Sequence, residues 1–368
     1  MTDLGLETMK NRATGSKAQT WVLLLVFLPL ASMGCRSQSP VADAVGGEEP
    51  PEKLSDYGLF AGNGSSQEPI PGVVPYDVNT ALFSDYAVKY RFVKLAPGTS
   101  AEYRDAEVFD FPVGTIISKT FAYPESADDA SKCGRLIETR LLIHKREGWI
   151  GLPYIWNEEQ TEATLEIAGG TRDVSWKQAD GTTKSISYII PNVNQCMGCH
   201  ENNRVMKPIG PKARNLNRDF DYPDGRENQL AHWTRLGYLR GSPPEQNAPR
   251  LPVWNDPSTG TLEQRAMAWM EVNCAHCHNP AGPARTSGLD LQLSQKDAYK
   301  RGFMKTPIAA GRGSGGRSYD IVPGKPDESI LMFRIQSAEP GIAMPESPHR
   351  LIDQEAVALV RQWIQELR

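Results

Sequence analysis

The sequence is sparing with the residues that carry most redox and metal chemistry: 368 residues hold only six cysteines and six histidines, so their placement is informative. It has no basic excess either. Lysine plus arginine number 40 against 44 aspartate plus glutamate, a formal net charge of −4, which excludes the cationic footprint that binding to a nucleic-acid backbone demands. Nowhere does it reach the ~20 apolar residues needed to span a membrane. With 39% hydrophobic and 23% charged residues, neither a polytopic membrane protein nor a wholly disordered chain fits. What remains is a folded chain of two or three domains at roughly 150 residues each. Its 32 glycines and 28 prolines predict abundant loops and turns.

The amino terminus reads as an address. Lys10, Arg12 and Lys17 precede an apolar run from Trp21 to Leu30, followed by Ala31, Ser32, Met33, Gly34 and Cys35, the layout of an export signal. Gly34-Cys35 resembles the lipobox of bacterial lipoproteins, which implies lipidation of Cys35 after cleavage; Ser32 stands where that motif usually has leucine. An ordinary signal peptide cut nearby, or an uncleaved anchor, are the alternatives. Residues 36–56 have the aperiodic composition of a tether. The expectation is a folded part held by a lipid anchor at a membrane on the periplasmic side of the cell envelope.

Four of the six cysteines fall into two copies of one signature. Cys196-Met197-Gly198-Cys199-His200 and Cys274-Ala275-His276-Cys277-His278 each read C-x-x-C-H, the attachment motif for c-type haem. The spacing lets two thiols bond the two vinyl groups on one edge of the macrocycle while the adjacent imidazole reaches the iron. The expected cofactors are two covalently bound haem c groups, on Cys196 and Cys199 with His200 axial, and on Cys274 and Cys277 with His278 axial. A zinc ribbon would want its two cysteine pairs roughly 15–20 residues apart and leaves both histidines unexplained. A thioredoxin-type dithiol wants a βαβ setting that neither pair has, and structural disulfides do not require the histidines. His276, between two cysteines, reads as a surface side chain.

Opposite the histidine, a methionine sulfur suits a higher-potential electron-transfer haem. Met344 lies in Pro340-Gly341-Ile342-Ala343-Met344-Pro345, where Pro345 disfavours helix at Met344, and it is the expected sixth ligand of the second iron. Met332, in an apolar run, reads as packing. For the first iron, Met206, His232 and His144 are available and the sixth ligand stays open, as does a site with no such ligand.

Between Tyr57 and Pro191 the apolar period is two, as in Tyr86, Val88, Tyr90 and Phe92, with further strands over 135–143, 149–155, 163–167, 173–177 and 183–190. The predicted fold class is multidomain α+β: an antiparallel β domain at 57–190, as a sandwich or partly open barrel, then a mainly α, loop-rich c-type cytochrome region. In that region 191–255 is the first haem segment, too short to enclose its haem alone, and 256–368 is a cytochrome c-like domain. There Thr261 and Gln264 form a capping-box pair ahead of a helical stripe, and Asp353 caps a terminal helix. Cys133 has no evident partner and reads as a free thiol.

Ile137-Glu138-Thr139-Arg140, Leu152-Pro153-Tyr154-Ile155-Trp156-Asn157, Lys207-Pro208-Ile209-Gly210-Pro211 and the two pentapeptides together resemble a family of bacterial diheme c-type cytochromes, mostly lipoproteins with a β-rich region before the haem segments. The stretch Val322–Ser329 followed by Met344-Pro345 looks like a cytochrome domain of planctomycete multidomain proteins. That resemblance implies haem on Cys274, Cys277 and His278 with Met344 as sixth ligand. The leading functional expectation is an electron carrier between redox protein partners, a periplasmic or surface dehydrogenase and a downstream acceptor. The alternatives are a diheme enzyme such as a peroxidase, with Arg204 or His232 as distal groups, and a β domain serving as a docking or ligand-binding module.

Overall fold

Strand patterning from Val74 onward is realised as a sheet in the computed structural model, which describes residues 45–47, 49–124, 134–178, 180–346 and 348–368. The export signal, Cys35, the start of the tether and Cys133 lie outside the described residues. All described residues belong to a unit that runs from Gln38 to Arg368. Among them no helix is long and apolar enough to cross a membrane.

The strands of the β region are β1 (Val74–Tyr76), β2 (Val88–Lys94), β3 (Ala101–Glu102), β4 (Ile116–Tyr123), β5 (Arg135–Lys145), β6 (Gly148–Trp156), β7 (Ala163–Leu165), β8 (Gly170–Lys177) and β9 (Thr183–Ile190). Six of them form one sheet in the order β1-β2-β4-β5-β6-β7, and β8 and β9 make a separate hairpin; the pairs within the six-stranded sheet are all antiparallel. Alternation sends Phe92, Ile116, Leu141 and Tyr154 to one face, against Leu54, Tyr57 and Leu59. The other face carries Val93 and Ile117 against Leu216, Leu230 and Trp233, and Phe121 and Ile155 against the hairpin. The expected sandwich or barrel is therefore corrected to a single open sheet. The face a second sheet would have covered is taken by the hairpin and by residues that follow the first motif.

Those residues belong structurally with the sheet. They hold α1 (Val193–His200), β10 (Glu201–Asn202), β11 (Val205–Met206), α2 (Ala213–Leu216), β12 (Asp219–Tyr222), β13 (Gly225–Asn228), α3 (Gln229–Arg235) and β14 (Leu239–Arg240). β14 pairs in parallel with β3, and Gln229 Nε2 donates to the Asp77 carbonyl at 3.0 Å.

The C-terminal part contributes α4 (Leu262–Asn273), α5 (Ile330–Ile335) and α6 (Gln354–Glu366), which completes six helices among the described residues beside the large antiparallel sheet: a mixed α+β protein. Thr261 and Gln264 cap α4 reciprocally, as the sequence predicts, and Asp353 accepts from the Ala356 N–H at the start of α6. The helices meet through Trp269, Met270, Val360, Trp363 and Ile364, and Trp269 Nε1 donates to Asp353 at 3.1 Å. The segment between β1 and β2 ties this part to the β region. Asp85 accepts from the backbone N–H groups of Arg350 and Leu351, and the Phe83 N–H donates to Asn273 Oδ1 at the end of α4.

Candidate functional site

The first motif forms most of α1. Asn192 and Gln195 cap it reciprocally, each side chain accepting from the other's backbone N–H at 2.8–2.9 Å. None of its eight residues is buried, an unusual state for a helix far shorter than the ~12–15 residues at which isolated helices become even marginal. It lies beside β6 at Gly151, where a Cβ would stand 3.1 Å from Cys196 Cβ and 3.4 Å from Met206 Cε; glycine is what lets the motif come so near the sheet. After His200 the chain reverses through β10 and β11. Asn203 and Arg204 both take positive φ, 52° and 66°, as a two-residue type I′ hairpin turn requires. Lys207 thereby returns to His200: its N–H donates to the His200 carbonyl at 2.8 Å, and its carbonyl faces His200 Nδ1 at 2.8 Å.

That last contact fixes a tautomer. A carbonyl only accepts, so Nδ1 carries the proton and Nε2 keeps its lone pair. Loss of water around the half-buried His200 ring pushes its pKa down to about 4, with Lys119 and Arg140 adding to the effect, so the ring is neutral at physiological pH.

The second motif extends α4. Cys274 N–H still donates to the Met270 carbonyl at 2.8 Å, and His278 N–H to the Cys274 carbonyl at 2.9 Å. The chain then turns so tightly that a Cβ on Gly282 would lie 2.3 Å from the Cys277 carbonyl oxygen. His278 Nδ1 contacts Ser287 Oγ at 3.0 Å. Ser287 spends its own proton on the Ala284 carbonyl at 2.7 Å, so it accepts from Nδ1–H, and again Nε2 is the nitrogen left with a lone pair. Lys305 holds Ser287 in place by donating to its carbonyl at 2.9 Å and is itself paired with Asp320 at 3.4 Å. Burial pushes the His278 pKa down to about 4 and the thiols of Cys274 and Cys277 up to about 12. Cys196 and Cys199 are raised for the same first reason. All four cysteines are free thiols.

One cavity of about 800 Å³ joins the two motifs. Cys199 lines it from the first, and Cys274, Cys277 and His278 from the second, with Met344 also on its wall. The volume lies in the upper part of the roughly 300–1,000 Å³ range of cofactor pockets. Leu289, Leu291, Ile321 and Ile330 make much of the remaining lining apolar. Met344 is half-buried in a loop tied back to α5, its N–H donating to the Arg334 carbonyl at 3.1 Å. Arg301 Nε and His276 Nδ1 are enclosed without a hydrogen-bond partner in residues that line the same cavity. At the second motif the set fits a haem: two thiols, a lone-pair imidazole, a methionine sulfur and apolar walls; of the first motif Cys199 reaches this cavity, while Cys196 and His200 are not on its wall.

His276 departs from its reading as a surface side chain. It is half-buried, and burial pushes its pKa down to about 4; the hairpin after the first motif lies against the loop after the second, the Asn203 N–H donating to the Ala281 carbonyl at 2.8 Å. Met332 is core, 1% exposed. His144 is stacked on Trp149 at 4.6 Å with Nδ1 on the Phe111 carbonyl; His232 is stacked on Tyr222 at 3.4 Å and bound to Glu227 at 2.8 Å. Met206 is brought beside Cys196 by the hairpin, although only a few residues separate it from His200. Among the described residues no group of three or more histidine, cysteine, aspartate or glutamate side chains is arranged to hold a bare metal ion. Spacing gave no sign of Ser287, Lys305, Gly151 or the Lys207 carbonyl. No protein-family model, curated protein or solved structure matches the chain.

Proposed function

We propose that the chain is an exported diheme c-type cytochrome that carries electrons between redox proteins, of the family its motifs resemble. The observation that carries this reading is the paired tautomer lock: each histidine that follows a Cys-x-x-Cys presents an Nε2 lone pair, and the two motifs meet at one cofactor-sized cavity. Cys196 and Cys199 with His200 would hold one haem c; Cys274 and Cys277 with His278 and Met344 would hold the other. Bound there, the pair supplies one-electron exchange through iron.

The chain's own side chains do the rest. The Lys207 carbonyl and Ser287 Oγ keep Nδ1 protonated and orient the rings, the outer-shell role that raises the basicity of a ligating imidazole. Leu289, Leu291, Ile321 and Ile330 exclude water from the second site. Met344 would favour the reduced state there. Because the motifs adjoin, electrons pass within the molecule without a second protein between. The modest negative charge of −4 suits basic partners, a donor dehydrogenase on one side and an acceptor on the other. The lipid anchor at Cys35 would hold the carrier at the envelope membrane.

Met344→Ala tests the assignment in the purified two-haem protein. The potential of one haem should fall and that haem should bind carbon monoxide when reduced, while the other is unchanged. Two unaltered potentials would contradict it. Turnover of hydrogen peroxide by the wild-type protein would move the function from carrier to diheme peroxidase.

A further inference from the structure

The sheet face beside the first motif carries cations that the fold does not neutralise. Register pairs Arg91 with Lys119 across β2 and β4 and Lys119 with Arg140 across β4 and β5. One step along, Lys89 pairs with Phe121 and Phe121 with Glu138. Opposed residues share a face, as do residues two apart on one strand. Arg140 pairs with Pro153, two positions from Gly151, so these rows project from the side on which Gly151 meets Cys196.

Two of the cations are satisfied. Arg91 pairs with Asp77 at 2.6 Å. Arg140 pairs with Glu138 at 2.5 Å, whose side chain is 0% exposed and also accepts from Tyr188 at 2.8 Å. Lys89 and Lys119 are half-buried and have neither an ion pair nor a hydrogen bond among the described residues; Lys119 Nζ lies over the Phe121 ring at 4.8 Å. Burial and the neighbouring cations push Lys119 well below the usual lysine range and Lys89 down to about 7. Lys119 and Arg140 are also the cations that act on Cys199 and His200. Two lysines held part-way from water without an anion give up their charge more readily than they keep it, so an acidic group brought beside them would restore both charges and gain two ion pairs. The pattern fits a ligand that brings two negative charges to this face beside the first motif.

A haem has two propionate carboxylates. We infer that Lys89 and Lys119 bind the two propionates of the haem tethered at Cys196 and Cys199, an assignment that rests on the reading given under Proposed function. Neutralising one lysine removes a positive charge beside that haem, which disfavours its reduced state.

The test uses the full two-haem protein and the variants Lys119→Met, Lys89→Met and Lys119→Arg, with haem count, both midpoint potentials and the resonance Raman propionate-bending bands as readouts. Each methionine variant should shift the oxidised-to-reduced ratio of the first haem about tenfold towards oxidised, about 59 mV for one electron. Its propionate band should move, the second haem should not change, and Lys119→Arg should behave as wild type. Loss of the first haem in a methionine variant that keeps the second, with loading retained in Lys119→Arg, supports the same assignment. Unchanged potentials and bands with two haems present overturn it. A wild-type protein without haem on Cys196 and Cys199 refutes the underlying reading instead, and the haem count shows which of the two has failed.

Discussion

At 274–278 the motif continues a helix whose inner side chains, Trp269 and Met270, are locked against α6, and the following loop closes over Cys277 through Gly282. At 196–200 the same signature sits on an eight-residue helix with no buried residue, held by an end cap and by the approach of Cys196 to Gly151. The second motif is backed by a packed helix pair. The first has its histidine oriented by the Lys207 carbonyl, but its helix has no fully buried residue among the described ones. Identical local chemistry can thus be supported by a finished core or left to be finished by what it binds.

The largest contrast should come from removing the tethers. Cys196→Ala with Cys199→Ala should leave one haem and raise amide exchange over 193–200 by about 100-fold, a loss of local stability on the scale where 1.4 kcal/mol is tenfold. Cys274→Ala with Cys277→Ala should also leave one haem, with α4 remaining protected. Equal deprotection of both helices in their respective double variants would erase the distinction.

Gly151→Val should act on one site only. Its Cβ meets Cys196 Cβ at 3.1 Å, and overpacking of that kind costs about 1–3 kcal/mol. Haem absorbance should fall towards half of the wild-type value, with the spectrum of the second haem intact; full loading of both sites would show that the close approach has no consequence.

The caps give the smallest effect. Asn192→Ala and Thr261→Ala each remove a side-chain acceptor from a helix start, worth about 1 kcal/mol. In α4, with seven buried residues, the loss should appear as a small fall in melting temperature. In α1 it should appear as local exchange about fivefold faster. The reverse allocation, local fraying in α4 and none in α1, would sharpen the comparison in the opposite sense.

What could be read without coordinates follows from how far each signal reaches along the chain. Thr261 and Gln264 are three residues apart, the hairpin around Asp180-Gly181 is local, and the terminal stripe through Val357, Val360 and Ile364 repeats every turn; each became the element its pattern predicts. The box at Asn192 and Gln195 was equally local and could have been found by the same rule. Register is not local. That Lys119 stands between Arg91 and Arg140, or that Gly151 faces Cys196, depends on which strands become neighbours, and a period of two leaves that undecided. Ser287 is likewise one serine among loop residues until folding places it on His278. The position of His276 failed to be read for a related reason, since a residue inside a motif is judged by its own turn, and here the hairpin after the other motif lies against the loop that follows its own.

The measurement that bears most directly on all of this is the haem stoichiometry of the mature protein, from alkaline pyridine absorbance together with intact mass, in a host that performs c-type maturation. The account predicts two haems per chain, on Cys196 with Cys199 and on Cys274 with Cys277. Colourless protein of unmodified mass, or four thiols occupied only by zinc, would contradict it.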